Sequence, residues 1–229
     1  MNSATTVALL GDSNAAMWSP VFEQIAEQRH WRLETLTRGL CPFLDLPPII
    51  DPTRGQPYTE CGRWRDQIIE RLHAERPKLV VLAMMRQYGA RFGWKLDFNA
   101  YDQTWLDSLT RMVKELRGIG TQVLVLGPIP IPPSAVPDCL AAHLDDATAC
   151  APTTSKGVDE AGIAAERVAV EAGGGQYADL TGLFCTAERC PVIVGDTLVY
   201  MDSWHTTVKY SMALAPAMGT LTDLALARG

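Results

Sequence analysis

The sequence is poor in the features of nucleic-acid-binding and membrane-spanning proteins. Its 20 basic residues are outnumbered by 26 acidic ones, which gives a formal net charge of −6 and a pI near 5.2. This balance argues against nucleic acid and anionic membrane surfaces as main partners, because both attract basic patches. No apolar run reaches the roughly 18–20 residues that span a bilayer. We therefore expect no transmembrane segment in this chain.

Signals for export and for metal binding are also lacking. Residues 1–6 have no basic residue and no long apolar stretch, so we do not expect a signal peptide, although the chain can still be a soluble piece of a larger protein. The four histidines are scattered, and no two cysteines form a Cys-x-x-Cys pair. A zinc site is therefore not expected, and the sequence gives no basis for another metal or a nucleotide cofactor.

Six cysteines are present, and six cysteines allow fifteen pairings. They are compatible with buried thiols in a cytosolic protein or with three local disulfides. We favour the disulfides Cys41–Cys61, Cys139–Cys150 and Cys185–Cys190, because each pair brackets a loop-like stretch rich in Pro, Gly or Thr. Disulfides at such places predict an oxidising compartment outside the cytoplasm.

Apolar runs alternate with helical patterns along the chain. The runs predict strands at 5–10, 32–37, 78–85, 122–126 and 176–180. Helices are expected between them, with long ones beginning near Ser19 and Asp102 and others at 155–172 and 208–225, where Pro216 kinks the last helix or lies in its first turns. A hairpin is expected at 192–200, and 127–152 is the longest irregular stretch. This order predicts a single domain over 1–229, a three-layer α/β/α sandwich with a mostly parallel sheet of about five strands.

Two short motifs at opposite ends of the chain carry the residues of a catalytic triad. Ser13 lies in Gly-Asp-Ser-Asn directly after the first predicted strand, and Asp202 and His205 are three residues apart near the end of the chain. A serine hydroxyl is a weak nucleophile that needs a base, and an imidazole held by a carboxylate is the usual one. Each residue also has an ordinary interpretation: a turn serine, a surface histidine and a helix-capping aspartate.

Together, these motifs resemble the SGNH (GDSL-like) hydrolase family, whose fold is flavodoxin-like. The Gly-Asp-Ser block, a glycine block at Gly39 and the Asp-x-x-His block match that family's pattern. Within it, the chain is most similar to the SGNH domain at the C-terminal end of bacterial acyltransferase-3 membrane proteins. The points of likeness are 39–43, the apolar strand 79–83, Gly127-Pro128 with the later 137–140, and 200–205, and together they span nearly the whole chain.

The resemblance implies an oxyanion hole formed by the backbone N–H groups of Ser13 and Gly39. A third block, which in the family contains an asparagine, reads Ala-Met-Met-Arg-Gln-Tyr-Gly at 83–89 and has none. Arg86 or Gln87 is expected to replace the missing donor. The alternative is that both are ordinary polar residues of a loop at the end of a strand.

Some residues near the expected cleft are candidates for substrate binding. Asn14 follows the serine and is expected to tune access to it. Trp204 and Tyr88 are candidates for stacking on sugar rings, as are Trp18 and Trp94; the alternative for these aromatics is packing in the core or at the rim.

The resemblance implies an extracytoplasmic serine O-acyltransferase that modifies a cell-envelope glycan or glycolipid through an acyl-serine intermediate, with acetyl as the favoured group. A membrane acyltransferase domain would deliver the acyl group, and the full-length protein would be tethered to the membrane. Two alternatives stay open. One is a serine esterase or deacetylase with the same residues. The other is a glycan-binding module with a weak or vestigial catalytic set.

Overall fold

A parallel β-sheet forms the centre of the computed structural model, which describes residues 5–50, 55–89, 94 and 96–228. Within these residues the sheet has five strands in the order β2-β1-β3-β4-β5, all parallel. The strands are β1 (Thr6–Gly11), β2 (Arg32–Thr37), β3 (Leu79–Ala83), β4 (Gln122–Leu126) and β5 (Gln176–Ala178). The predicted parallel sheet is thus confirmed. Residues 1–4, part of the segment judged not to be a signal peptide, lie outside the described residues.

Helices connect the strands and follow the last one. They are α1 (Ser13–Ala16), α2 (Ser19–Arg29), α3 (Thr59–Glu75), α4 (Gln103–Gly118), α5 (Val136–Ala142), α6 (Thr154–Gly157), α7 (Glu160–Ala172), α8 (Thr181–Phe184), α9 (Val208–Ala213) and α10 (Ala215–Ala227). A short antiparallel hairpin, β6 (Ile193–Val194) with β7 (Thr197–Leu198), precedes α9 and confirms the expected hairpin.

Alternate residues of β1 supply two separate hydrophobic cores. Val7 and Leu9 pack with residues of α2 and α10 on one face of the sheet. Ala8 and Leu10 pack with residues of α3 and α4 on the other. Because side chains along a strand point to opposite faces, a continuous apolar run fills both cores at once. The result is the expected three-layer α/β/α arrangement.

Helix α4 begins where its sequence predicts. The Asp102 carboxylate accepts a hydrogen bond from the Trp105 N–H at 2.9 Å, which satisfies one of the free donors at the helix start. The apolar face of this helix is buried, with Leu109 and Met112 in the core.

Three regions differ from the sequence-based expectation. The helix expected at 155–172 is divided at Val158, because Asp159 caps a new helix by accepting from the Gly162 N–H at 2.9 Å. The helix expected at 208–225 is divided at Leu214, and Pro216 lies in the first turn of α10, where its missing N–H costs nothing. The stretch 127–152 contains α5 and a 3-10 turn and is not wholly irregular.

All three predicted disulfides are formed: Cys41–Cys61, Cys139–Cys150 and Cys185–Cys190. The first fixes the loop after β2 to the start of α3. The second closes the segment that contains α5, and the third closes the short loop after α8.

A buried ion pair fastens the carboxyl end of the sheet to the helices on one face. The guanidinium of Arg86 donates from Nε and Nη2 to the two oxygens of Glu166 at 2.8 and 2.9 Å. Trp105 Nε1 donates to the same carboxylate at 2.7 Å, and the Tyr177 hydroxyl donates at 3.0 Å. Burial lowers the pKa of Arg86, but Glu166 more than offsets it, and the net pKa is raised. Glu166 thus joins the loop after β3 to α4, α7 and β5.

Replacing this buried carboxylate is expected to destabilise the fold. Glu166→Ala leaves the Arg86 charge buried without its partner, which costs about 3–5 kcal/mol of unfolding free energy. Thermal or urea denaturation measures the change. Glu171→Ala, an exposed position on the same helix, is the control and should change the unfolding free energy by about 0.5 kcal/mol or less. A Glu166→Ala protein as stable as the control would contradict this account.

Candidate active site

The candidate site lies at the carboxyl edge of the sheet, where the loops after β1, β2 and β3 meet. Ser13 is the first residue of α1, and one residue, Asp12, separates it from the end of β1. In open α/β sheets, ligands bind outside the carboxyl ends of the strands, so this is the expected edge. Ser13 is half-buried.

The turn of residues 11–13 presents Ser13, the candidate nucleophile, and we term it the nucleophile turn. It begins with a glycine that no other residue can replace. Gly11 ends β1 with a φ of +144°, and a Cβ built on it would lie 1.8 Å from the carbonyl oxygen of Ala83 in β3. The strands approach too closely here for any side chain. Gly11 therefore lets the chain turn sharply into α1 and present Ser13 at the sheet edge.

Asp12 is buried and holds the turn from inside. Its carboxylate accepts hydrogen bonds from the Asn14 N–H at 2.8 Å, the Met85 N–H at 2.9 Å and the Tyr88 hydroxyl at 2.8 Å. Burial raises the pKa of Asp12, and these hydrogen bonds oppose the rise. The loop that contains the nucleophile is thereby joined to the loop after β3.

His205 is in hydrogen-bonding distance of both other members of the predicted triad. Its Nε2 lies 2.8 Å from Ser13 Oγ, and its Nδ1 lies 2.7 Å from Asp202 Oδ2. Because an ionised carboxylate only accepts, Nδ1 carries the proton and Nε2 is left to accept the Ser13 O–H. The structure thus brings together residues 192 positions apart in the arrangement of a serine nucleophile, its base and an orienting acid.

The Asp202 carboxylate also shapes the loop that carries the base. Its Oδ1 accepts from the Trp204 N–H at 2.6 Å and the His205 N–H at 2.7 Å. Partial burial raises the pKa of Asp202, but the hydrogen bonds from the His205 ring and from these two N–H groups outweigh it, and the net pKa is lowered. Asp202 therefore stays ionised beside the imidazole.

Asn14, expected to contact substrate, is instead part of the framework. Its side chain is only 4 % exposed, and Nδ2 donates to the Trp204 carbonyl oxygen at 3.3 Å. The amide is turned toward the loop that carries His205 and is not available at the surface of the cleft.

The glycine loop borders the nucleophile turn. The Arg38 N–H donates to the Gly11 carbonyl at 3.0 Å, and Cys41 is fixed by its disulfide. Gly39 between them is exposed, and a Cβ built on it would meet no atom within 4 Å. Packing inside the protein therefore does not require a glycine at position 39.

As the first residue of a helix, Ser13 has a backbone N–H with no carbonyl partner in that helix.

Arg86 and Gln87, the expected replacements for the missing asparagine, have other surroundings. The Arg86 guanidinium is occupied by Glu166 and by the carbonyl oxygens of Met84 and Leu126. Gln87 is buried and lines a small cavity with Arg86 and Ile129. A buried guanidinium whose donors are engaged in this way cannot also serve an oxyanion, so we do not assign Arg86 that role.

The candidate aromatic residues divide into buried and exposed ones. Tyr88 is 1 % exposed, and its hydroxyl is bonded to Asp12, so it does not form a stacking surface. Trp18 is equally buried and packs edge-on against Phe184. Trp94 is half-buried against the Tyr88 ring. Trp204, 37 % exposed within the loop that carries His205, is the candidate that a ligand can reach.

The role of Asp12 does not follow from the motif alone. The Gly-Asp-Ser pattern points to its serine, yet the aspartate makes the contacts that hold the serine's turn. A signal was present, since an acidic residue directly after a buried apolar strand needs hydrogen-bond donors inside the fold. The sequence does not say which donors these are.

Neither a metal-binding cluster nor a membrane span is found in the part of the chain that the structure describes. No three His, Cys, Asp or Glu side chains there come together to hold a metal ion. Among the same residues, none of the helices combines the length and the apolar character needed to cross a bilayer.

The chain matches a known protein family, and its fold is similar to those of solved structures. Residues 1–220 match the family model described as "SGNH domain (fused to AT3 domains)". No curated protein matches the chain. The periplasmic domain of a lipopolysaccharide acetyltransferase from Salmonella ser. Paratyphi A has a similar structure, with a TM-score of 0.76 and 17 % identity over 97 % of this chain and 85 % of that one. TesA superposes with a TM-score of 0.52 and 16 % identity over 97 % of this chain and 98 % of its own.

Removing the Tyr88 hydroxyl is expected to weaken the nucleophile turn. Tyr88→Phe keeps the ring but leaves Asp12 with one donor fewer, which costs about 1–3 kcal/mol of unfolding free energy at neutral pH. The pKa of Asp12, already raised, should rise further. Since a raised folded-state pKa contributes stability that is lost as pH increases, the loss should be greater at neutral than at acid pH.

Denaturation at several pH values measures this effect, and Tyr58→Phe, whose hydroxyl is bonded to Arg38 at a half-buried position, is the control. If Tyr88→Phe lost no more stability than the control at any pH, the hydrogen bond from Tyr88 to Asp12 would not stabilise the nucleophile turn.

Proposed function

Because the chain belongs to the family of SGNH domains fused to AT3 domains, we propose that it is a serine O-acyltransferase domain that works through an acyl-serine intermediate. The observation that carries the proposal is the contact of His205 Nε2 with Ser13 Oγ at 2.8 Å, with Asp202 held on the opposite ring nitrogen at 2.7 Å. We further propose that 1–229 act as one domain.

In the first half-reaction, Ser13 Oγ attacks the carbonyl carbon of the acyl donor while His205 Nε2 takes its proton. The leaving group departs with that proton, and the acyl group stays on Ser13 as an ester. Asp202 stabilises the imidazolium that forms in between. The negative oxygen of the tetrahedral intermediate is stabilised by the backbone N–H groups of Ser13 and Gly39 in this proposal.

In the second half-reaction, an acceptor hydroxyl attacks the ester carbon and gives its proton to His205. The bond between the carbonyl carbon and Ser13 Oγ breaks, and the proton passes to Oγ, which restores the serine. With a sugar hydroxyl as acceptor the result is O-acylation, and with water it is hydrolysis. The triad supports both outcomes, so the nature of the acceptor decides between transferase and esterase.

The acceptor and the compartment are proposed from independent features. The structural neighbour from Salmonella is described as a lipopolysaccharide acetyltransferase periplasmic domain, which suggests acetyl as the group and a cell-envelope glycan or glycolipid as acceptor. Three disulfides favour an extracytoplasmic location. Trp204, exposed beside the base, offers a face on which a sugar ring can stack. A membrane acyltransferase domain, such as the AT3 domain of the family description, would supply the acyl group and tether the protein to the membrane.

One prediction of this mechanism concerns the proposed nucleophile. Incubation with an activated acetyl ester should give an acetyl group on Ser13, or turnover of the ester, in the intact protein. Ser13→Ala should abolish both because no nucleophile remains, and His205→Ala should lower the rate by about a thousandfold or more because no base remains. Intact-mass measurement and ester turnover provide the readouts.

Addition of candidate sugars then separates the two enzymatic outcomes. Acetyl appearing on the sugar supports the transferase, and release to water alone supports an esterase. An unreactive wild-type protein with an intact fold would contradict the enzyme proposal and favour a glycan-binding module, whose glycan binding would survive Ser13→Ala.

Another prediction of this mechanism concerns the glycine loop. Gly39→Ala adds a methyl group where the protein itself has no atom within 4 Å, so thermal stability should change little. If the Gly39 N–H serves the oxyanion, the methyl group should disturb the approach of the ligand and lower kcat/KM by about tenfold or more. Gly182→Ala, at another glycine with open space around it, is the control. Full activity in Gly39→Ala would remove Gly39 from the proposed oxyanion hole.

A further inference from the structure

Two of the hydrogen bonds in the part of the chain that the structure describes connect helix α1 with the loop of residues 201–205, which we term the base loop. One is the contact between Ser13 Oγ and His205 Nε2, and the other runs from Asn14 Nδ2 to the Trp204 carbonyl at 3.3 Å. Asn14 directly follows the nucleophile, and Trp204 directly precedes the base. The second bond thus lies beside the first, because its donor residue is one position after the nucleophile and its acceptor residue is one position before the base.

The base loop is a compact unit. The Asp202 carboxylate accepts from two N–H groups of the loop, and the Met201 N–H donates to the His205 carbonyl at 3.0 Å. Such a unit keeps Asp202 and His205 in a fixed relation to each other. These internal bonds do not fix the distance of His205 from Ser13, which depends on contacts that leave the loop.

The reaction removes one of the two connecting bonds. Once Ser13 Oγ has become an ester oxygen, it has no proton to donate to Nε2, and the hydrogen bond between the nucleophile and the base is lost. The bond from Asn14 to Trp204 uses no reacting atom. Since Asn14 is buried, water does not readily replace its amide. This bond is therefore available through the whole catalytic cycle.

We propose that Asn14 is a positioning residue that holds the base loop, and His205 with it, against the acyl-enzyme, so that Nε2 can take the proton of the acceptor. The inference rests on the acyl-serine mechanism proposed above. In the free enzyme the Ser13 hydroxyl also holds His205 in place, so loss of Asn14 affects acylation less. In the acyl-enzyme this help is gone, so loss of Asn14 affects deacylation more.

The test compares the two half-reactions in variants that lack the amide donor. Asn14→Leu has a similar size and no donor, and Asn14→Ala leaves no side chain that can clash. With an activated acetyl ester, the burst rate reports acylation and the steady rate reports deacylation. Deacylation should fall by about tenfold or more, because small misplacements of a catalytic group are costly. Acylation should stay within about threefold of wild type. Acetyl-Ser13 should then accumulate in the intact-mass spectrum.

Thr206→Val is the matched control. It removes a buried hydrogen bond from the Thr206 hydroxyl to the Val199 carbonyl, next to the base loop, that does not reach α1. It should lower stability without changing the ratio of the two rates. A purely structural role of Asn14 would give the same behaviour as this control.

The following outcomes would overturn the inference. Unchanged rates in both Asn14 variants, or an equal fall in both half-reactions, would show that the base loop needs no second connection. Loss of the fold in both variants would assign Asn14 to folding. A wild-type protein that never acetylates Ser13 would refute the proposed function, and this inference with it. If the wild type is acetylated at Ser13 and both Asn14 variants keep the wild-type ratio of the two rates, the inference is refuted while the proposed function stands.

Discussion

The buried carboxylate of Asp12 is the interaction on which the candidate site depends. It accepts from the turn that presents Ser13, from the Met85 backbone and from the Tyr88 hydroxyl, so that the ends of two neighbouring strands behave as one unit. A buried carboxylate is costly unless its oxygens are satisfied, and each of these donors is therefore held as firmly as the acid itself. The close approach of Gly11 to Ala83 is what allows this connection.

The loop after β3 is fixed in two directions. Tyr88 fastens it to the nucleophile turn, and Arg86 fastens it to Glu166 on the helical layer. Where the family pattern has an asparagine, this chain has Arg86 and Tyr88 nearby, whose side chains fix the loop after β3 inside the fold. In the proposed mechanism, a developing oxyanion is stabilised by the backbone N–H groups of Ser13 and Gly39, which suit this task if the fold holds them in place before the reaction begins.

The glycan acceptor proposed above requires accessible surface around Ser13. Gly39 and Leu40 are exposed on one loop, and Trp204 is exposed on the loop that carries the base. An open edge of this kind admits a glycan hydroxyl and also admits water, so the geometry alone does not favour transfer. If the proposed acyl-serine forms, transfer depends on an acceptor that displaces water from its neighbourhood, as binding of a sugar ring against Trp204 would do.

The sequence by itself determined the parallel α/β fold through its periodicity and favoured the three disulfides through the loop-like stretches between the cysteines. It indicated the residues proposed as a triad through two short motifs and their resemblance to a known family. Only the tertiary structure decided the roles of Asn14, Arg86 and Tyr88. Their partners lie 190, 80 and 76 positions away in the chain. The same polar residue types suit either a cleft or a buried network, and no local pattern shows which donor meets which acceptor. Burial within the packed layers settles that question, since it requires every polar group inside to find its partner.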